Sequence, residues 1–520
     1  MPSLILVVLH VAIYLLLYCG LCISYRPNVL LIILDDFKPA LGSYGDSEAY
    51  TPYMDKLASE SFVFTQAYAQ QALCAPSRNS FLTSRRPDTL HFYDFYSYWR
   101  QFAGNFTTLP QYFKEHGYHS HSVGKVFHPG ISSNFSDDQP YSWSQTPFHP
   151  KSEAFKNAKV CLNPDGSLGM NLICPVQTEF QPLGTLPDIE SMKEAMRFIQ
   201  QQRTNEDKLP YFLAVGFHKP HIPLKFPDSF LAYHPLDNIS LPINRFRPSL
   251  LPSVAWNPWT DIRKRDDIRK LNASFPYGPL NDDILRLIIQ AYYSSVSYVD
   301  DLIGKVLREI NFKNTIVVLT GDHGWSLGQH GEFSKYSNFE QVTQVPLIIH
   351  VPHLSSHQVA VKSLVELVDI FPTLVDLTQV GSALQRCPET KQLTTCTEGE
   401  SLVPVMIEAL EKQKVRGKSC VFTQYPRPGV FPTWHPNSDK PRLNEIKAMG
   451  YSIKTKRYRY CEWMEFNSAN FTANWSKVYA TELYDHLIDP EENMNLGDKT
   501  DLEFIIKRLS RKLKRGWRHA

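Results

Sequence analysis

The sequence has no large excess of either charge, and it has no internal repeat. Lysine and arginine total 54 and aspartate and glutamate total 52, so the formal net charge is +2 over 520 residues. A protein held to nucleic acid by a broad basic field is therefore not indicated. A polyanionic substrate is still compatible, because a pocket needs only a few local cations. The length and the 43% hydrophobic content predict one large globular domain and a smaller one.

One long hydrophobic run lies at the N-terminus. Residues 4–23 are nearly all apolar and Cys22-Ile23-Ser24 is a plausible cleavage site, so residues 1–24 are predicted to be a signal peptide. The alternative is a membrane anchor, because the run approaches the roughly 20 residues of a spanning helix. Met1-Pro2-Ser3 also lacks the basic residues of a signal peptide. Cleavage would leave no stable membrane span. Either way the chain enters the endoplasmic reticulum, which predicts a lysosomal or secreted protein.

Cysteine is infrequent, with nine in the whole chain. Two lie in the leader and Cys74 lies in a motif described below, which leaves six for disulfides. The six permit fifteen pairings, so closeness in sequence is the only guide. The predicted pairs are Cys161 with Cys174, Cys387 with Cys396, and Cys420 with Cys461.

Six Asn-x-Ser/Thr sequons suit a glycoprotein of the secretory pathway. The acceptor asparagines are Asn105, Asn134, Asn238, Asn272, Asn470 and Asn474.

Continuous apolar runs at residues 26–36, 211–217 and 315–320 predict strands buried on both faces of a parallel sheet. Helical patterns separate them, at residues 51–61, 108–116, 189–202 and 283–309. This alternation predicts an α/β fold over residues 25–410, with a large, mostly parallel central sheet flanked by helices.

Residues 411–520 are predicted to form a smaller α+β subdomain. Its short strands are expected at residues 419–424, 449–454 and 458–463. Its tail, residues 504–520, is basic and amphipathic, which favours a solvated terminal helix. Contact with a polyanion or a membrane surface is the alternative.

Two acidic clusters follow predicted strands. Asp35 and Asp36 end the first run, and Asp322-His323 follows the third. Ligands of α/β sheets bind beyond the carboxyl ends of the strands, so we expect these groups to meet. Adjacent buried carboxylates are costly unless a cation lies between them. Oxygen-rich ligation indicates Ca²⁺ or Mg²⁺, and the secretory setting favours Ca²⁺.

Cys74-Ala75-Pro76-Ser77-Arg78 precedes a predicted helix at residues 77–83. The run resembles the C-x-P-S-R signature of the sulfatases, a family of the alkaline phosphatase superfamily. The resemblance implies that a formylglycine-generating enzyme oxidises Cys74 to an aldehyde, whose hydrate attacks sulfur. One departure is Ser84, where many sulfatases have glycine.

The resemblance extends over most of the chain and implies roles for further residues. Asp35, Asp36, Asp322 and His323 would bind one Ca²⁺ together with an oxygen of modified Cys74. Lys125, His221 and Lys335 would hold the sulfate, and His221 or Lys335 would protonate the leaving oxygen. His128 would hydrogen-bond the formylglycine hydrate and accept a proton from it, and Arg78 would orient the hydrate and help its deprotonation. The stretches that carry the likeness are residues 74–81, 85–89, 93–100, 122–133, 213–223, 322–338, 424–428 and 437–441.

These stretches are most similar to sulfatases that remove the 2-O-sulfate from the terminal iduronate of heparan sulfate and dermatan sulfate. Such a substrate would place Lys440 near the uronate carboxylate and Trp325 against a sugar face. Alternatives are another sugar-sulfate specificity, or a phosphodiesterase or phosphonate hydrolase of the same superfamily. A different class is an inactive glycan-binding protein whose Cys74 stays a thiol.

Overall fold

A computed structural model describes residues 26–204, 209–389, 393–412 and 417–519. The predicted signal peptide lies outside the described residues. The strands are β1 (Asn28–Asp35), β2 (Phe62–Tyr68), β3 (His119–Gly124), β4 (Cys161–Leu162), β5 (Leu168–Gly169), β6 (Ile173–Val176), β7 (Tyr211–Pro220), β8 (Leu224–Pro227), β9 (Thr315–Gly321), β10 (Ser326–Leu327), β11 (Phe333–Ser334), β12 (Gln344–His350), β13 (Val359–Val361), β14 (Val365–Glu366), β15 (Cys420–Arg427), β16 (Ala448–Thr455), β17 (Tyr458–Asn467) and β18 (Thr472–Asp485).

The α-helices connect and cover these strands. They span Pro52–Ala58, Cys74–Thr83, Pro87–Leu90, Trp99–Phe102, Leu109–Glu115, Pro187–Thr204, Asp266–Arg269, Asp282–Arg308, Glu340–Thr343, Ile370–Thr378, Val403–Leu410 and Glu503–Arg515. The predicted strands and the longer predicted helices are present, with ends shifted by a few residues.

The large sheet has the strand order β13-β2-β12-β9-β1-β7-β3, and β14 also pairs with β2. Strands β3, β7, β1 and β9 are parallel to one another, and β12 is the antiparallel member between β9 and β2. The predicted mostly parallel α/β sheet is therefore confirmed. The carboxyl ends of the four parallel strands all lie at one edge of the sheet.

Strand β1 shows why its sequence is apolar throughout. Leu30, Ile32 and Leu34 pack into a core beneath the helices Pro187–Thr204 and Asp282–Arg308. The alternate residues Val29, Leu31 and Ile33 pack into a second core on the opposite face. Since successive side chains of a strand point to opposite faces, a strand covered on both sides needs apolar residues at every position.

A second, antiparallel sheet follows in the order β15-β16-β17-β18. The helix Glu503–Arg515 packs Leu509 and Leu513 against this sheet, and its basic face is turned outward. This is the arrangement of a solvated terminal helix. The division of the chain at residue 410 stays a prediction.

Two of the three predicted disulfides are present, Cys161–Cys174 and Cys387–Cys396. The predicted pair Cys420–Cys461 is wrong, because both thiols are free and buried. Cys420 lies opposite Thr455 of β16, whereas Cys461 lies opposite Ser452 on the other side of that strand. Thr455 and Ser452 are three positions apart, so the two thiols point to opposite faces of the sheet.

The surface features are compatible with the sequence predictions. The six sequon asparagines are exposed, and their glycosylation stays a prediction. Within the described ranges, no helix has both the length and the apolar character that crossing a bilayer demands.

Candidate active site

The carboxyl edge of the parallel strands gathers side chains from distant parts of the chain. Asp35 and Asp36 come from the end of β1, and Lys125 follows β3. His221 follows β7, and Asp322 with His323 follows β9. The topology alone therefore brings together residues separated by almost 290 positions.

Cys74 lies at the centre of this group as the first residue of the helix Cys74–Thr83, and it is 1% exposed. Its Sγ is 3.0 Å from Lys335 Nζ, 3.3 Å from His323 Nε2 and 4.0 Å from Asp36 Oδ1. Burial raises the pKa of this thiol to about 12, and the neighbouring Asp35 adds to the shift. An unmodified Cys74 is thus protonated at physiological pH and is a poor nucleophile.

Arg78 forms hydrogen bonds with two of the acidic residues and fixes their positions. Its Nε donates to Asp322 Oδ2 at 2.8 Å and its Nη2 donates to Asp35 Oδ1 at 3.2 Å. Its Nη1 donates to the carbonyl oxygens of Lys125 and Val126. Because the guanidinium is fully buried and bonded on all sides, Arg78 fixes the geometry of the strand ends and does not face the solvent.

Four groups have the spacing of metal ligands. Ligand atoms of Asp35, Asp36, Cys74 and His323 all lie within 4.8 Å of one another. His323 Nδ1 is 2.9 Å from the carbonyl oxygen of Gly324, so as a donor there it leaves the Nε2 lone pair facing the cluster. Asp36 Oδ2 is buried and has no hydrogen-bond partner among the described residues. A divalent cation would satisfy that oxygen.

The carboxylate of Asp322 accepts more hydrogen bonds than those of Asp35 and Asp36. Its Oδ2 accepts from Arg78, and its Oδ1 accepts from the backbone N–H groups of Asp36 and His323 at 3.1 and 2.9 Å. Oδ1 is also 3.6 Å from His323 Nε2. Asp322 is not among the four groups that have the spacing of metal ligands.

The surroundings shift the pKa values of the adjacent carboxylates Asp35 and Asp36 in opposite directions. Burial raises the pKa of Asp36 to about 7, and Lys335 only partly offsets the effects of burial, Asp35 and Asp322. Burial also opposes ionisation of Asp35, but the charges of Lys125 and Arg78 hold its pKa well below the usual value.

Two lysines and two histidines surround the cluster. Lys125 donates to Asp35 and Lys335 donates to Asp36, and their carboxylate partners keep the pKa of both amines raised against the effect of burial. Burial and the nearby lysines hold the pKa of His128 and His221 well below the usual value. The imidazole rings of both histidines are therefore uncharged at neutral pH.

An open cleft of about 390 Å³ leads to this group. Among its lining residues, Lys125, His128, His221 and Lys335 were predicted as catalytic residues and Lys440 as a substrate contact. Lys440 reaches the cleft from the segment between β15 and β16, and its Nζ lies 5.6 Å from the Tyr336 ring centroid. The cleft is thus built from both parts of the chain.

The prediction for Trp325 is wrong. Its side chain is 1% exposed and stacks on Tyr292, with ring centroids 6.4 Å apart. It belongs to the core beneath the helix Asp282–Arg308. A residue two positions after a metal ligand candidate can point either way, and here it points inward.

Sequence reasoning missed several lining residues of the cleft. These are Phe95, Tyr96, Lys156, Asn157, Met170, Ile222, Asp261, Lys264, Arg265 and Tyr336. Most lie in irregular segments without a motif, and the basic pair Lys264-Arg265 was the only available signal.

Comparison with known proteins identifies the family. Residues 27–380 match the family model described as Sulfatase. The chain belongs to the sulfatase family. Residues 328–518 match a second model, N-sulphoglucosamine sulphohydrolase, C-terminal. The predicted family and the predicted enzyme class are confirmed.

Curated sulfatases resemble the chain over most of its length. Iduronate 2-sulfatases of Mus musculus and Homo sapiens are each 48% identical over 503 residues, covering 90% of this chain and 90% of each relative. Arylsulfatase K of Gallus gallus is 23% identical and covers 92% of this chain and 80% of that relative.

Solved structures confirm the sulfatase fold. A protein in complex with its substrate D-glucosamine-2-N,6-O-disulfate superposes with a TM-score of 0.66 at 20% identity, covering 95% of this chain and 98% of the other. A phosphonate monoester hydrolase of Agrobacterium radiobacter also gives 0.66, at 19% identity, with 95% of both chains covered. At these identities the likeness concerns the fold alone.

Proposed function

We propose that this sulfatase removes the 2-O-sulfate from the non-reducing terminal iduronate of heparan sulfate and dermatan sulfate. The observation that carries the proposal is the 48% identity to two iduronate 2-sulfatases over nine tenths of the chain. The cationic cleft above Cys74 supports it, because a sulfated glycosaminoglycan is a polyanion.

One Ca²⁺ would be held by Asp35, Asp36, Asp322 and His323 with an oxygen on modified Cys74. The close spacing of the ligand atoms and the unpartnered Asp36 Oδ2 fit such an ion. When bound, Ca²⁺ would polarise a sulfate oxygen and lower the pKa of a nearby hydroxyl.

Cys74 would be converted to formylglycine by a formylglycine-generating enzyme in the endoplasmic reticulum. The hydrated aldehyde would supply a nucleophilic hydroxyl and a second hydroxyl for expelling sulfate. The thiol pKa of about 12 supports the need for this change, since the encoded side chain is protonated at working pH.

The remaining steps fall to side chains that line the cleft. Lys125 and Lys335 would hold the sulfate, which neutralises charge that develops during transfer. His128 is neutral in the ligand-free site and can accept a proton from the hydrated aldehyde. His221, which a bound sulfate anion would favour in its protonated form, or Lys335 would protonate the departing sugar oxygen. An acidic lysosome suits a histidine donor.

Substrate selection would rest on the outer part of the cleft. Lys440 would pair with the uronate carboxylate. This is supported by its position in the lining of the same cleft and by the absence of an ion pair of its Nζ with any described residue. Tyr96 also lines the cleft, is 42% exposed and would offer the aromatic surface that Trp325 does not.

The test uses protein secreted from a eukaryotic host, with Cys74→Ala as the matched inactive control. We expect hydrolysis of a fluorogenic 2-sulfated iduronide and much weaker hydrolysis of a phosphodiester. A preference for the phosphodiester would instead support a phosphodiesterase or phosphonate hydrolase.

The mass of the peptide that contains Cys74 distinguishes an enzyme from an inactive glycan-binding protein. Conversion to the aldehyde changes that mass, whereas an alkylated thiol in protein that still binds glycan would contradict the proposed function.

A further inference from the structure

We propose that Arg265, with Lys156 and Lys264 beside it, forms a second anion subsite that binds a sulfate group on the sugar next to the terminal residue. The inference rests on the proposed function and deepens it, since it concerns the part of the chain-like substrate that does not react. All three cations line the same cleft as Lys125 and Lys335.

Arg265 is the centre of this subsite. It is only 7% exposed, and its Nη1 donates to Asn157 Oδ1 at 3.0 Å. It forms no ion pair with any carboxylate in the parts of the chain that are described. Burial lowers the pKa of this guanidinium, and the charges of Asp261, Asp266 and Asp267 only partly offset that effect. An anion arriving from the cleft would stabilise the charge further. The planar fork also matches two oxygens of a sulfate.

Lys156 connects this subsite with the reacting centre. It is adjacent in sequence to Asn157, the hydrogen-bond partner of Arg265. It lines the cleft together with His128 and His221, and it also lines a second pocket with His221, so this side chain lies near the catalytic histidines. A ligand on Arg265 and Lys156 would therefore sit beside the reacting sulfate, as the neighbouring sugar of a glycan does.

The three cations remain available for an anion. Lys125 and Lys335 are bonded to Asp35 and Asp36, whereas the partner of Lys156 is Glu153 at 3.4 Å in a partly exposed pair. Such a pair is worth little and is easily exchanged. Lys264 is exposed and forms no ion pair with a described residue.

Asp261 is the only carboxylate among the described lining residues, and although its charge acts on Arg265, it forms no ion pair with any of the three cations. Its Oδ2 accepts from the hydroxyls of Ser334 and Tyr336, each at 2.8 Å. Its Oδ1 accepts from the Ile262 N–H at 2.7 Å. The cleft therefore keeps a net positive outer wall.

The experiment compares two disaccharides with the same 2-sulfated terminal iduronate, one with and one without a sulfate on the adjoining sugar. We expect the wild type to prefer the disulfated compound about tenfold in kcat/KM, and Arg265→Gln to lose most of that preference. Lys264→Gln should lose about threefold. The control Lys270→Gln, an exposed lysine outside the cleft lining, should keep the full preference.

Equal loss on both disaccharides, or an unchanged preference in Arg265→Gln, would overturn the subsite. If Arg265→Gln fails to fold, Lys156→Gln combined with Lys264→Gln decides the question in the same assay.

Binding without turnover separates this inference from the proposed function. Calorimetry on Cys74→Ala protein should show about tenfold tighter binding of the disulfated disaccharide, and Arg265→Gln should abolish the difference. Absence of hydrolysis by the wild type together with that binding difference would reject the proposed function and retain the subsite. Hydrolysis of both compounds without any difference in binding would retain the proposed function and reject the subsite.

Discussion

Two clusters of buried charge in this molecule have similar residues and opposite character. The first is the active-site cluster around Cys74. The second, the interface network, consists of Glu340, Lys454, Arg459, His486 and Glu492 and joins the large sheet domain to the C-terminal sheet.

In the interface network each carboxylate has cationic partners. Glu492 Oε1 is 2.6 Å from Arg459 Nε and 2.9 Å from His486 Nε2. Glu340 Oε2 is 2.7 Å from Lys454 Nζ and 3.0 Å from His486 Nδ1. Glu340, His486 and Glu492 also have the spacing of metal ligands, but two cationic side chains already bond them.

In the active-site cluster one buried oxygen of Asp36 accepts no hydrogen bond from a described residue, and the pKa of Asp36 is raised to about 7, whereas the pKa values of Glu340 and Glu492 are lowered. The contrast shows that residue types alone do not mark a functional site. What distinguishes it is a buried carboxylate, Asp36, whose ionised form the surrounding protein groups only partly stabilise.

The largest expected effect is at the nucleophile. Cys74→Ser should lower multiple turnover by about 10³-fold or more, because a serine has no second hydroxyl with which to release the sulfate. Its thermal midpoint should stay close to that of the wild type. Rapid multiple turnover by the purified variant would refute the mechanism.

Substitution in the interface network should instead lower the stability of the protein and leave its activity unchanged. Glu492→Gln leaves Arg459 and His486 without their shared carboxylate and should cost about 3–5 kcal/mol in the free energy of unfolding. The kcat of the folded variant should be unchanged. Denaturant unfolding measures the loss, and exposed Glu491→Gln is the matched control, expected within about 0.5 kcal/mol. Equal stability of both variants would contradict this assignment.

A smaller effect on stability is expected from the binding of Ca²⁺. Ca²⁺ at 100 times its Kd should stabilise the wild type by about 2.7 kcal/mol, and a chelator should remove both this gain and the activity. Asp36→Asn should show little response to Ca²⁺ in thermal unfolding, whereas Glu340→Gln should respond like the wild type. A full calcium shift in Asp36→Asn would exclude Asp36 as a ligand.

The smallest effect is a pH dependence of stability. Bonds to Glu340 and Glu492 raise the pKa of His486 from 6.5 to about 9, against the opposing effect of burial. Because the folded pKa is the higher one, this stabilisation is complete below pH 6.5 and is lost as the pH rises through 9. His486→Gln should therefore lie about 2 kcal/mol below the wild type at pH 6 and approach it at pH 9.5. A constant difference across that range would contradict the shift.

The strand ends of the site were predictable from the sequence for a topological reason. Apolar runs identified parallel strands, and parallel strands deliver the residues that follow them to one edge, so Asp36 and Asp322 had to meet. The helix predicted at residues 77–83 is also present, but it begins three residues earlier, at Cys74.

Other features depend on information that periodicity does not contain. The pairing of Cys420 and Cys461 failed because it depends on the register of β16, which places the thiols on opposite faces. Trp325 failed because a turn residue has no periodic neighbours to fix its direction. Lys156 and Arg265 were missed because irregular segments bring them to the cleft.

The burial of Cys74 would also set a time limit on the proposed oxidation of this residue. A side chain that is 1% exposed beneath Lys335 is out of reach of a second protein once the sheet has closed. Any enzyme that oxidises it must act on a chain that is still open. Maturation and folding are therefore in competition, so a substitution that merely accelerates folding would yield a well-folded protein with a smaller active fraction.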